Sequence, residues 1–238
     1  MMTRQRALSG LIILILLLLT ARFTAMAWDR LPKNANSGDG DHGAYLQLGL
    51  DLRERGLLTD GKRPPLYPLL LAAFASRDWA YFTWAKIANL IIGAITLWVL
   101  FDIGRRLFGW PAGLLAALLL SVNMEFVLHS TFALAESLLM ITFLLAWFFM
   151  VRALQQPARP GMWLAAGVFT ALAFLAKGTG PIIALCFMLT ATILLTPRVW
   201  LSKGMWAFII SAGLVTAPLW LYNWAHFGSP LFNSAINN

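Results

Sequence analysis

Residues 8–27 read LSGLIILILLLLTARFTAMA, an almost unbroken apolar run long enough for one bilayer crossing, which takes about 20 residues. Comparable runs recur at about 79–101, 111–128, 132–151, 162–176, 180–196 and 204–222. Across all 238 residues, 60% are hydrophobic and 12% charged, whereas soluble domains average roughly 45–50% and 25%. The pattern predicts an all-α, polytopic transmembrane helix bundle of about seven spans, read as one module over residues 1–238. A lone cysteine, Cys186, excludes an intramolecular disulfide, and three histidines leave little for a metal site of the zinc type. The net charge of +8 is dispersed between apolar runs, so no nucleic-acid partner is expected.

Charge placement orients the bundle. Short connections on one side carry Arg4, Arg6, Arg105, Arg106, Arg152, Arg159, Arg198 and Lys203 against the single acid Asp102; the positive-inside rule makes that side cytosolic. The polar stretch 28–78 then faces outward. A basic start, the run Leu11–Leu19 and Ala25-Met26-Ala27 also fit a cleaved signal peptide. Retention is preferred, and both readings deliver Trp28 to the outer side.

Within the outer stretch, Gln47, Asp51, Glu54 and Arg55 recur at helical spacing, with Tyr45, Leu48 and Leu52 on another face and Gly56 at the end. This predicts an amphipathic helix lying on the membrane surface. Arg63-Pro64-Pro65-Leu66-Tyr67-Pro68 reads as a rigid, extended return to the bilayer, because proline lacks the amide donor and disfavours helix before it. In this topology Arg22, Lys86, Glu125, Glu136 and Lys177 all fall in the outer half of the apolar runs. Intramembrane charges are costly unless paired, snorkelling or facing water, so they predict a polar cavity that opens outward. Residues 162–176 are short for a span, so Lys177-Gly178-Thr179-Gly180-Pro181 either bends below the surface or follows a helix starting near Gly161, with Lys177 snorkelling.

Several residues can carry chemistry there. Asp39 and Asp41, beside His42 and Tyr45, can hold a divalent cation or supply a general base; equally, Asp39 can form a turn and Asp41 can cap a helix. Lys62 and Arg63 can clamp a phosphate or attract anionic headgroups generally. Glu136 can pair with Lys86, and His129 can be an ordinary interfacial loop residue. Trp79, Tyr81 and Trp84 fit an interface belt or a sugar-stacking face.

Taken in order, five motifs resemble the GT-C glycosyltransferases, particularly the dolichyl-phosphate-mannose protein mannosyltransferase family and bacterial aminoarabinose lipid A transferases. They are Asp41-His42-Gly43-Ala44-Tyr45, Lys62-Arg63-Pro64-Pro65-Leu66-Tyr67-Pro68, Ala135-Glu136-Ser137, Gly167 with Leu172–Gly178, and Asn223–Pro230. The resemblance implies a sugar moved, with inversion, from a polyprenyl-phosphate donor to a lipid, glycan or protein acceptor at the outer face of a bacterial inner membrane. It implies Asp41 as base or acceptor-orienting carboxylate, and Lys62, Arg63 and Lys177 as ligands of the donor phosphate. Asp39, His42, Tyr45, Tyr67, Lys86, Glu136 and Asn223 would shape the cavity. A divalent cation, if used, would sit at Asp39 and Asp41; His42 stands where relatives often carry Glu. Relatives usually continue beyond the seventh span, so the chain reads as their N-terminal module. Competing functions are a transporter or flippase for a polyprenyl-phosphate glycolipid and a non-catalytic membrane subunit or fragment.

Overall fold

The computed structural model describes residues 2–34 and 40–231. Among them there are no strands, and the α-helices run in the order α1 (Met2–Arg30), α2 (Gly40–Arg55), α3 (Leu66–Ala72), α4 (Ala80–Phe108), α5 (Trp110–Val122), α6 (Met124–His129), α7 (Glu136–Gln155), α8 (Pro160–Ala176), α9 (Gly180–Leu195) and α10 (Lys203–Phe227). A 3₁₀ turn, Pro197–Leu201, joins the last two. The all-α expectation holds. Residues 8–30 of α1, together with α4, α7 and α10, are long and apolar enough to cross a bilayer; α5, α8 and α9 are apolar but shorter.

Aliphatic side chains point outward along the helices, among them Leu18, Ile193, Leu201 and Leu214. So much exposed apolar surface would be untenable in water and is what a lipid environment requires. Inside, α8 packs between α7 and α10, α4 lies between α5 and α7, and α1 leans on α4 and α5. Aromatic residues tie α8, α9 and α10 together: Trp163 meets Phe187 at 5.4 Å between ring centroids, and Phe187 meets Phe208 at 4.9 Å. The α8–α10 crossing depends on Gly167, where an added Cβ would lie 2.1 Å from Ser211 Oγ and 2.3 Å from the Phe208 carbonyl oxygen.

Two local expectations change. The third apolar run is two helices, because Asn123 leaves helical geometry and its side chain accepts from the Phe126 amide at 2.9 Å, capping α6. The proline segment is not an extended return: Arg63 lies in a bend, Pro65 already has helical angles (φ −83°, ψ −13°), and α3 begins at Leu66 and takes Pro68 into its first turn, where no intrahelical donor is needed. The helix expected within the outer stretch is present as α2, and α8 starts at Pro160, as in the reading that begins this helix near Gly161.

The connectivity sorts charge by end. The α4–α5 junction holds Arg105 and Arg106, both paired with Asp102 at 2.5 Å, and lies at the same end as the α7–α8 and α9–α10 junctions with their basic residues. The opposite end carries α2, α3, the start of α7, the α8–α9 junction and the end of α10.

Candidate functional site: an apolar groove with a charged mouth

At that opposite end, Thr59-Asp60-Gly61-Lys62-Arg63 forms a compact turn. Asp60 Oδ1 accepts from the backbone amides of Lys62 (2.9 Å) and Arg63 (2.7 Å), while Thr59 donates its hydroxyl to the Arg63 carbonyl at 2.6 Å. The turn aims the Arg63 side chain, which is only 14% exposed, between two carboxylates: Nη1 donates to Asp60 Oδ2 and Nη2 to Asp41 Oδ1, each at 2.6 Å. Asp41 stands in the first turn of α2 with its side chain 57% exposed. The hydrogen bond from Arg63, opposed by partial burial and aided by the charges of Arg63, Lys62 and Lys177, holds the Asp41 carboxyl below its usual range. Arg63 itself is pushed up: burial works against its charge, but the bonds to Asp41 and Asp60 outweigh it.

Around this pair, Tyr45 is buried, edge-to-face with Tyr67 at 5.2 Å, and the Arg63 guanidinium lies 5.7 Å from the centre of its ring. Burial first, then the negative charges of Glu136 and Asp41, push the Tyr45 phenol up to about 12. His42 packs edge-to-face on Phe132 at 5.2 Å, and burial lowers its pKa, so the imidazole stays neutral near pH 7. Glu136 opens α7 and meets Lys177, at the end of α8, at 2.5 Å. Its second oxygen is buried without a partner among the described residues, as are Arg63 Nε and Asn223 Oδ1. Such atoms are unusual in a finished interior and suit a site that receives a polar ligand.

From this mouth a groove of about 730 Å³ runs down between α8, α9 and α10. Lys62, Arg63 and Asn223 line its charged end, Phe174, Pro181, Ala184 and Gly213 its walls, and Met188 and Trp200 its far end. Along α10 it extends from Phe208 to Asn223, about 22 Å at 1.5 Å per residue.

The expected residues therefore separate into groups. Asp41, Lys62, Arg63 and Asn223 lie at or beside the mouth, with His42, Tyr45, Glu136 and Lys177 electrostatically coupled to them. Tyr67 is fully buried and receives a hydrogen bond from Asn89 at 3.1 Å, so it is a packing residue. Lys86 does not pair with Glu136: it is buried in α4 and donates to the carbonyls of Leu31 (2.7 Å) and Asn34 (3.1 Å) at the end of α1. Arg22 is exposed on α1 and Glu125 is 80% exposed on α6, so the expected cavity does not gather all five outer-half charges. Asp39 lies outside the described residues. Among the described residues, no three His, Cys, Asp or Glu side chains are placed to share a cation. Sequence reading missed Asp60, whose signal was the Thr-Asp-Gly turn before Lys62, and Asn89, an amide hidden in an apolar helix. It also missed the groove, whose Gly, Ala and Thr positions look like ordinary membrane-helix content.

A multispanning helical bundle whose long apolar groove ends beside Lys62 and Arg63 defines a membrane protein with an amphipathic cavity. The family model described as dolichyl-phosphate-mannose-protein mannosyltransferase matches residues 62–222, about two thirds of the chain. The chain belongs to that family, which is one of GT-C membrane glycosyltransferases. The matched region holds Lys62, Arg63, Glu136 and Lys177, and Asp41 precedes it. No curated protein and no solved structure matches the chain.

Proposed function

We propose that the protein transfers a sugar from a polyprenyl-phosphate donor to an envelope acceptor (a lipid, glycan or protein hydroxyl) at the outer face of a bacterial inner membrane. The observation that carries this reading is that one side chain, Arg63, both lines the mouth of the apolar groove and holds Asp41. A polyprenyl chain fits the groove, and its phosphate then falls beside Lys62 and Arg63. The membrane orientation rests on the basic residues gathered at the opposite end.

In this scheme the acceptor hydroxyl attacks the anomeric carbon from the face opposite the lipid phosphate. A bond to the acceptor oxygen forms, the bond from sugar to phosphate oxygen breaks, and the anomeric centre inverts. Negative charge grows on the departing phosphate, where Lys62 and the unpartnered Nε of Arg63 stabilise it, with Lys177 available if its pair with Glu136 opens. Asp41 is a weak base because Arg63 depresses its pKa. It therefore orients the hydroxyl by accepting its hydrogen bond and takes the proton late, once the attacking oxygen has become acidic. Asn223 and Glu136 supply further polar contacts through their unpartnered oxygens.

The test is transfer from a radiolabelled polyprenyl-phosphate sugar to an envelope extract by the protein in nanodiscs. Asp41→Asn should lower turnover by about 10²–10⁴-fold, the usual worth of a positioned proton acceptor, with donor binding retained. Undiminished turnover in that variant removes Asp41 from the chemistry, and movement of intact lipid across the bilayer without cleavage would identify a transporter.

A further inference from the structure

On the other side of α2 lies a second hollow, of about 370 Å³, between that helix and the turn leading into α4. Gly43, Leu46, Gln47 and Leu50 recur at helical spacing and form its α2 wall, whereas Asp41 and Tyr45 occupy the opposite face of the same helix. The hollow is thus separate from the groove and from the Asp41–Arg63 pair. Its remaining wall is Ser76, Arg77, Asp78, Trp79, Tyr81 and Phe82.

This wall is held in shape from several directions. Arg77 forms a two-pronged bond with Glu54 at the end of α2, at 3.1 and 2.8 Å. Arg53 donates to the Ala75 carbonyl at 2.5 Å, and the Tyr81 hydroxyl donates to the Leu46 carbonyl at 3.0 Å. Close approach of Tyr81 to α2 needs the glycine at 49, where a Cβ would lie 2.3 Å from the phenol oxygen. Against this fixed frame, Gln47, Ser76 and Asp78 present side chains with no hydrogen bond among the described residues, and the Trp79 indole is 79% exposed.

We propose that this hollow binds a sugar ring, with Trp79 as the stacking platform and Gln47, Ser76 and Asp78 as hydroxyl partners. The chemistry selects a neutral polyol over a phosphate. Glu54 already neutralises Arg77, and Asp78 adds a negative charge, so no net positive charge is offered to an anion. The amide, hydroxyl and carboxylate give both donors and acceptors, which alternating sugar hydroxyls require. A flat, exposed indole covers the apolar C–H face of a pyranose. An acceptor glycan held here would be anchored away from its reacting end, contributing binding energy at a distance from the chemistry. The sugar-binding claim itself does not depend on the transfer reading.

The experiment is saturation-transfer NMR on the protein in nanodiscs with methyl manno-, gluco- and galactopyranosides as probes, and glycerol 3-phosphate as a headgroup competitor. The expected result is saturation of ring C–H protons for at least one glycoside. That signal should be lost in Trp79→Ala, weakened in Asp78→Asn, retained in Asp41→Asn and unaffected by glycerol 3-phosphate. Absence of saturation in the unaltered protein, a signal that survives Trp79→Ala, or displacement by glycerol 3-phosphate would each overturn the proposal, the last in favour of a lipid-headgroup site. Because Asp41→Asn removes transfer and spares this signal, failure of the sugar hollow and failure of the transfer reading are distinguishable.

Discussion

Gly213 lines the groove midway along α10, and a Cβ added there meets no atom within 4 Å. Gly213→Trp should therefore seat its Cβ without displacing a neighbour and bring an indole to the groove wall. The helix itself gains slightly, since interior glycine costs about 0.8–1 kcal/mol relative to alanine and most other residues cost less. The donor loses more. A tryptophan covers about 150–250 Å², which at about 25 cal/mol per Å² is an upper bound of about 4–6 kcal/mol of displaced lipid contact. Binding converts buried area to affinity inefficiently; half that figure still weakens donor binding by about 30- to 150-fold. The assay is equilibrium binding of a fluorescent polyprenyl-phosphate probe in nanodiscs, with thermal unfolding run in parallel. Gly161→Trp is the control: its Cβ also meets open space, at the start of α8 and outside the groove. Donor affinity unchanged in a Gly213→Trp variant that unfolds at the usual temperature would refute the groove as the chain-binding site.

Other outcomes follow from the same geometry. Arg63→Lys replaces a planar fork by a point charge that cannot hold Asp41 and Asp60 in the same way; transfer should fall by tenfold or more, as expected for about 1.4 kcal/mol of lost charge-assisted bonding. Because Arg63 lowers the Asp41 pKa, the carboxylate persists down to pH values below the ordinary aspartate range. Transfer rates in unaltered protein should thus lose Asp41 only as pH falls through that depressed value, and Arg63→Lys should move this acidic limb upward. Gly167→Ala forces a methyl against Ser211 and the Phe208 carbonyl; destabilisation of about 1–3 kcal/mol is expected, read as a lower unfolding temperature.

Much of the architecture was legible because bilayer helices announce themselves by length and hydrophobicity: each long apolar run became helix, the third in two pieces, and a helix at α2 followed from its spacing. What escaped was set by contacts distant in sequence. Asp41 and Arg63 were each singled out, but only folding puts the Thr59–Arg63 turn beside the first turn of α2. Lys86 and Lys177 are alike as lone lysines at the outer side of apolar runs, yet one satisfies the end of α1 and the other meets Glu136. The choice depends on which acceptor the neighbouring helix presents, which periodicity does not encode. The break at Asn123 was readable in principle, since Asn is a favoured cap, but hydrophobicity on both sides concealed it.

The central claim, that a lipid donor lies along α8–α10 with its phosphate at Lys62 and Arg63, is tested most directly by photo-crosslinking. A polyprenyl phosphate carrying a diazirine in its first isoprene units, irradiated with the protein in nanodiscs and mapped by mass spectrometry, should label the outer parts of α9 and α10 between Gly180 and Asn223, and excess unlabelled polyprenyl phosphate should suppress that labelling. Labelling confined to the lipid-facing surfaces of α1 and α5, or insensitive to competitor, would contradict it.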